Sequence, residues 1–110
     1  MNASALNLLE QARQELDGVC RRYGVRRLSV FGSALSAKWQ PETSDFDFLV
    51  EYGPPPAGID LFAQQFVMQV ELERLLGRPV DLVERAAIRK PAFREAVDRD
   101  ALEVYAAGVP

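Results

Sequence analysis

The alternation of apolar and polar positions divides the chain into helical and extended stretches. Ala5, Leu9, Ala12, Leu16, Val19, Cys20 and Tyr23 recur at spacings of three and four, which predicts one amphipathic helix over residues 4–23. Gly24 supplies its stop. The period then shortens: Val25 to Phe31 reads as a buried strand, and Gly32 gives the backbone freedom for a sharp exit. Residues 37–44 are polar, are broken by Pro41 and read as a loop. A second strand, Asp45-Phe46-Asp47-Phe48-Leu49-Val50, ends at Pro54-Pro55-Pro56, which can neither pair nor enter a helix interior. Asp60 is placed to cap a helix through Leu76, with Phe62, Phe66, Val70, Leu72, Leu75 and Leu76 as its expected inner face and Gly77 as its stop. Val80 to Glu84 reads as a third strand. Pro91 opens a further helix with Phe93, Ala96 and Val97 facing inward, and Ala101 to Ala106 reads as a final strand, with helical continuation the alternative.

This order of elements predicts an α+β fold, one small mixed or antiparallel sheet with helices packed on one face. At 110 residues, 48% hydrophobic and 26% charged, residues 1–110 are expected to form a single domain of ordinary globular composition. The apolar runs are too short to span a bilayer and the first residues lack the apolar segment of a secretory signal, so a cytoplasmic location is expected.

Two of the four expected strands carry aspartates in their apolar runs. Side chains alternate across a strand, so Asp45 and Asp47 are expected on one face while Phe46, Phe48 and Val50 point to the other. Like charges this close repel, and aspartate is a poor strand former. A divalent cation resolves both conflicts, and magnesium prefers a few hard oxygen ligands together with water. The plainer alternative is one capping and one solvated aspartate. Asp81, in the third strand, adds a carboxylate. If Ser33 to Ser36 opens a helical turn, its free backbone N–H groups and the Ser33 hydroxyl make a phosphate site.

Composition narrows the chemistry further. The chain has no histidine, which removes the commonest general base and transition-metal ligand, and its single Cys20 excludes an intrachain disulfide and reads as a small core residue. A formal net charge of −3 argues against nonspecific nucleic-acid binding. In the polar loop, Trp39 reads as an anchor on the protein body in preference to a base-stacking platform; Lys38 either reaches a polyphosphate or is solvated.

Taken together, Phe31-Gly32-Ser33, then Ser44-Asp45-Phe46-Asp47-Phe48-Leu49-Val50, then Val80-Asp81-Leu82-Val83 resembles the minimal nucleotidyltransferases of the polymerase-β-type superfamily, whose members often pair with a HEPN-domain protein. The resemblance implies that the two aspartate-bearing strands lie side by side. It implies that Asp45, Asp47 and Asp81 bind two magnesium ions and perform catalysis, and that Gly32, Ser33 and Ser44 contact the nucleotide. It further implies transfer of AMP from ATP to a hydroxyl of a HEPN-type toxin, which would make the chain an antitoxin acting by AMPylation. One departure is visible. Members commonly carry an arginine shortly after Gly-Ser, where this chain has Leu35, Ser36 and Ala37. Two other functions remain open: an antitoxin that restrains its partner by binding alone, and transfer to a small molecule or RNA end.

Overall fold

The computed structural model describes residues 2–108. The first helical stretch is two helices, α1 (Ala3–Gln11) and α2 (Arg13–Arg22), with a bend at the buried Ala12. No proline or glycine marks this bend. It aims the start of α1 at the polar loop, where the Asn2 side-chain amide donates to the backbone carbonyls of Ser36 and Trp39, each at 3.0 Å. The Asn2 side-chain oxygen also accepts from the Ala5 N–H and caps α1. A single residue therefore both starts the helix and closes the loop.

Strands β1 (Val25–Phe31), β2 (Phe46–Tyr52), β3 (Val80–Glu84) and β4 (Leu102–Ala106) form one four-stranded sheet in the order β3-β2-β1-β4. β1 is antiparallel to both of its neighbours, while β2 and β3 are parallel. The expected mixed sheet and the final strand are both present. Between β2 and β3 the chain crosses over through α3 (Met68–Leu76), as a parallel pair requires. Leu28, Val30, Phe46, Phe48, Val50 and Leu82 turn toward α1, α2 and α3 and form the main core. On the other face, α4 (Pro91–Asp100) covers a smaller cluster of Leu49, Ile88 and Val97.

The inner face of the crossover helix differs from the expected one. Phe62, Phe66 and Val70 are 64%, 54% and 45% exposed, whereas Gln64, Met68, Leu72 and Leu76 are buried. The physical reason is a π-helical turn at Ala63–Val67, just before α3, which inserts a residue and shifts the phase of the stripe. The wide turn is held by hydrogen bonds: the Tyr52 hydroxyl donates to the Gln64 carbonyl at 2.7 Å, and the Gln64 side-chain amide donates to the Tyr23 carbonyl at 2.8 Å. Asp60 and Gly77 do bound the helical segment, Asp60 Oδ1 accepting from the Ala63 N–H and Gly77 adopting a left-handed conformation. Phe93 of α4, also expected inside, is exposed. Met68→Ala or Leu72→Ala is accordingly expected to cost about 2–5 kcal/mol, and Phe66→Ala less than about 1 kcal/mol, as read from urea unfolding midpoints.

Cys20 lies in the core, as expected, and burial first, then the charge of Asp17, pushes its thiol up to about 12, so it stays protonated at neutral pH. No helix among the described residues is long and apolar enough to cross a membrane.

Candidate active site

The parallel pairing of β2 and β3 places Asp47 directly opposite Asp81. Their neighbours in the same register, Phe46 with Val80 and Phe48 with Leu82, are buried on the other face. Alternation thus divides the two strands between core and chemistry. On its other side Asp47 lies opposite Phe31, the last residue of β1, so the chain turns at Gly32 immediately beside it.

Gly32 has φ +70°, and a Cβ built on it would lie 2.7 Å from Asp47 Oδ2. The position therefore requires glycine twice over, once for its backbone conformation and once for the close approach. Gly32 starts a single 3₁₀ turn, Gly32–Leu35, in which the Ser33 carbonyl accepts from the Ser36 N–H at 2.8 Å. Ser33 itself is exposed beside the carboxylates' face.

Asp45 stands one residue before β2 and is exposed, so strand alternation alone does not fix it. Hydrogen bonds to the adjoining backbone do. The indole N–H of Trp39 donates to the Asp45 carbonyl at 2.8 Å, and Arg78 Nε donates to the Ser44 carbonyl at 2.8 Å. Trp39 is buried, with its ring centroid 4.8 Å from that of Phe46, and so anchors the loop on the protein body. The Ser44 hydroxyl accepts from the Gln40 N–H at 2.9 Å and closes the loop from within; its own proton remains free to donate.

Asp47 feels the other two carboxylates. Partial burial, then the charges of Asp81 and Asp45, hold the Asp47 carboxyl above the usual carboxylate range. Among the described residues none of the three takes part in an ion pair. No three acidic, histidine or cysteine side chains among the described residues converge on one point as a finished metal cage. What the fold provides is a face of oxygen donors without a protein counter-charge and a glycine that leaves room for Asp47. That donor set suits magnesium, which takes few protein ligands and keeps water in its remaining positions.

Residues 12–103 match the family model described as a nucleotidyltransferase domain. The chain belongs to this family. A protein of Methanocaldococcus jannaschii, provisionally named a protein adenylyltransferase, is 31% identical over 87% of this nucleotidyltransferase and 97% of its own length. The protein adenylyltransferase MntA of Thermococcus cleftensis is 35% identical over 69% of this chain and 76% of its own. Among solved structures, one described provisionally as a minimal nucleotidyltransferase superposes with a TM-score of 0.70 at 33% identity, covering 93% of this nucleotidyltransferase and 95% of that chain. A toxin-antitoxin complex with AMP-PNP contains a chain of the same fold, with a TM-score of 0.64 at 16% identity over 87% of this chain and 74% of that one. The resemblance to minimal nucleotidyltransferases holds.

Asn2 and Arg78 also hold the loop that leads to Asp45, and neither is assigned a role from the sequence. Asn2 had a readable signal as a helix cap. The placement of Arg78 against the Ser44 carbonyl is set by tertiary contact between residues far apart in sequence.

Proposed function

We propose that the chain transfers the AMP unit of ATP to a hydroxyl of a partner protein, a HEPN-type toxin, and so acts as its antitoxin in the cytoplasm. The observation that carries this reading is the register that sets Asp47 against Asp81 beside the Gly32 turn. It is supported by relatives named as protein adenylyltransferases and by chains of the same fold solved in MntA-HepT toxin-antitoxin complexes.

In this reaction the acceptor oxygen attacks the α-phosphorus, the bond from that phosphorus to the bridging oxygen breaks, and pyrophosphate leaves with the electron pair. Gly32 and Ser33 hold the phosphates through backbone N–H groups and the Ser33 hydroxyl, and Ser44 donates its free proton from the loop side. Asp45, Asp47 and Asp81 would hold two magnesium ions, which when bound acidify the attacking hydroxyl and offset the charge of the triphosphate and leaving pyrophosphate. In a chain with no histidine, Asp81, exposed on β3, or solvent at the metal would take the acceptor's proton.

The test is incubation with magnesium, the purified partner and ATP labelled at the α-phosphate or, in parallel, at the γ-phosphate. Label is expected on the partner from α-labelled ATP only. Absence of transfer, or equal transfer by an Asp45→Asn/Asp47→Asn variant, overturns the reading. If that inactive variant still silences the partner, the antitoxin acts by binding alone.

A further inference from the structure

α4 and β4 bring a cation to the Gly32 turn. The helix ends where the Ala101 N–H donates to the Val97 carbonyl at 2.8 Å, and β4 begins at once with Leu102 opposite Val30. Val30 lies just before the turn in β1, so this pairing sets Arg99 and Asp100 alongside it. With Gly32, Leu35 and Ser36 they line an open cleft of about 560 Å³.

Among the described residues Arg99 is the one cation lining that cleft. Three other arginines are engaged elsewhere. Arg78 is bound to the Ser44 carbonyl, Arg85 to both carboxylate oxygens of Asp98, and Arg94 to the Ile88 carbonyl. Lys38 is exposed in the loop and does not line the cleft. Among the described residues Arg99 pairs with its neighbour Asp100 alone, Nε to Oδ1 at 3.3 Å, between two exposed side chains. Such a pair is weak and screened, and leaves the guanidinium free for a better anion.

We propose that Arg99 binds the β- and γ-phosphates of the nucleoside triphosphate in this cleft, across from the Gly32–Ser33 turn; the assignment rests on the nucleotidyl-transfer reading above. A planar guanidinium engages two phosphate oxygens at once, and the carboxylate face nearby offers a polyanion no cation of its own. An arginine in the last turn of a helix also complements the helix dipole, a role that would not depend on nucleotide.

Calorimetric titration with AMP-PNP and with AMP, each with magnesium, separates these roles. Arg99→Ala is expected to weaken AMP-PNP about 10–100-fold and AMP less than about threefold, while the melting temperature in the absence of nucleotide stays within about 2 °C. Arg99→Lys recovers part of the loss, and Asp100→Asn tightens AMP-PNP by a few fold by releasing the guanidinium. Equal AMP-PNP affinity in wild type and Arg99→Ala overturns the assignment and leaves nucleotidyl transfer standing. So does an equal loss for AMP and AMP-PNP, or a loss that only follows a fall in melting temperature. No AMP-PNP binding by the wild type overturns both.

Discussion

An Asp47→Asn variant is expected to lose about a thousandfold in nucleotidyl transfer, the scale of removing a principal charge-bearing group from a reaction centre, and yet to be more stable than its parent without metal. Asp47 faces Asp81 across the parallel pair, with Asp45 nearby, and burial and these two charges together favour its protonated form. Because its folded-state proton affinity lies above that of the unfolded chain, the fold takes up the proton first as pH falls. The destabilisation is therefore complete at neutral pH and is relieved as pH drops through the raised value toward the ordinary carboxylate range. Asparagine keeps the shape and removes the charge. Relief of one like-charge cross-strand pair is worth about 0.2–1 kcal/mol, or a rise of a few degrees in melting temperature for a domain of this size. Melts in EDTA at pH 8 and at successively lower pH are expected to show the variant ahead at pH 8, with the gap narrowing as pH falls toward the ordinary carboxylate range of about 4. A parent more stable than the variant at pH 8 would mean that the carboxylates do not oppose each other as described.

Gly32→Ala is expected to damage both fold and activity. A left-handed conformation costs an L-residue about 1–2 kcal/mol, and the new methyl would meet Asp47 Oδ2 at 2.7 Å. That oxygen belongs to a side chain and not to the backbone, so Asp47 swings aside and the strand pairing survives. The expected result is a melting temperature lower by about 5–15 °C and a loss of transfer of about 100-fold from displacing a reacting group. A double-mutant cycle separates the two causes. In an Asp47→Ala background the clash is gone and the backbone cost alone should remain; an unchanged penalty would show that Gly32 acts through its conformation only.

These two positions also show what the sequence made legible. The division of β2 into Phe46, Phe48 and Val50 toward the core and Asp47 away from it follows from strand alternation, and the structure bears it out. The juxtaposition of Asp47 and Asp81 does not follow from local pattern, because it depends on a parallel register formed across a crossover; only family resemblance brought the strands together. Periodicity failed at the crossover helix. A π-helical turn leaves no mark in composition, and assigning the large aromatic residues to the interior puts Phe62 and Phe66 where Gln64 and Met68 lie. The bend at Ala12 is equally hidden, since residues on both sides continue the apolar spacing and the loop carbonyls that Asn2 reaches lie 34 and 37 residues away in sequence. Arg99 owes its place to the pairing of Leu102 with Val30, a contact far beyond any reading window.

The Trp39 indole, buried on Phe46 and bound to the Asp45 carbonyl, gives the protein a built-in optical probe. It is the chain's sole tryptophan, so intrinsic fluorescence excited at the red edge reports from one place, the loop that carries Asp45 into the reaction centre. Cation or nucleotide arrival that shifts this backbone carbonyl changes the environment of the indole directly. Occupancy can then be followed in unlabelled protein, and in stopped flow before any product has formed.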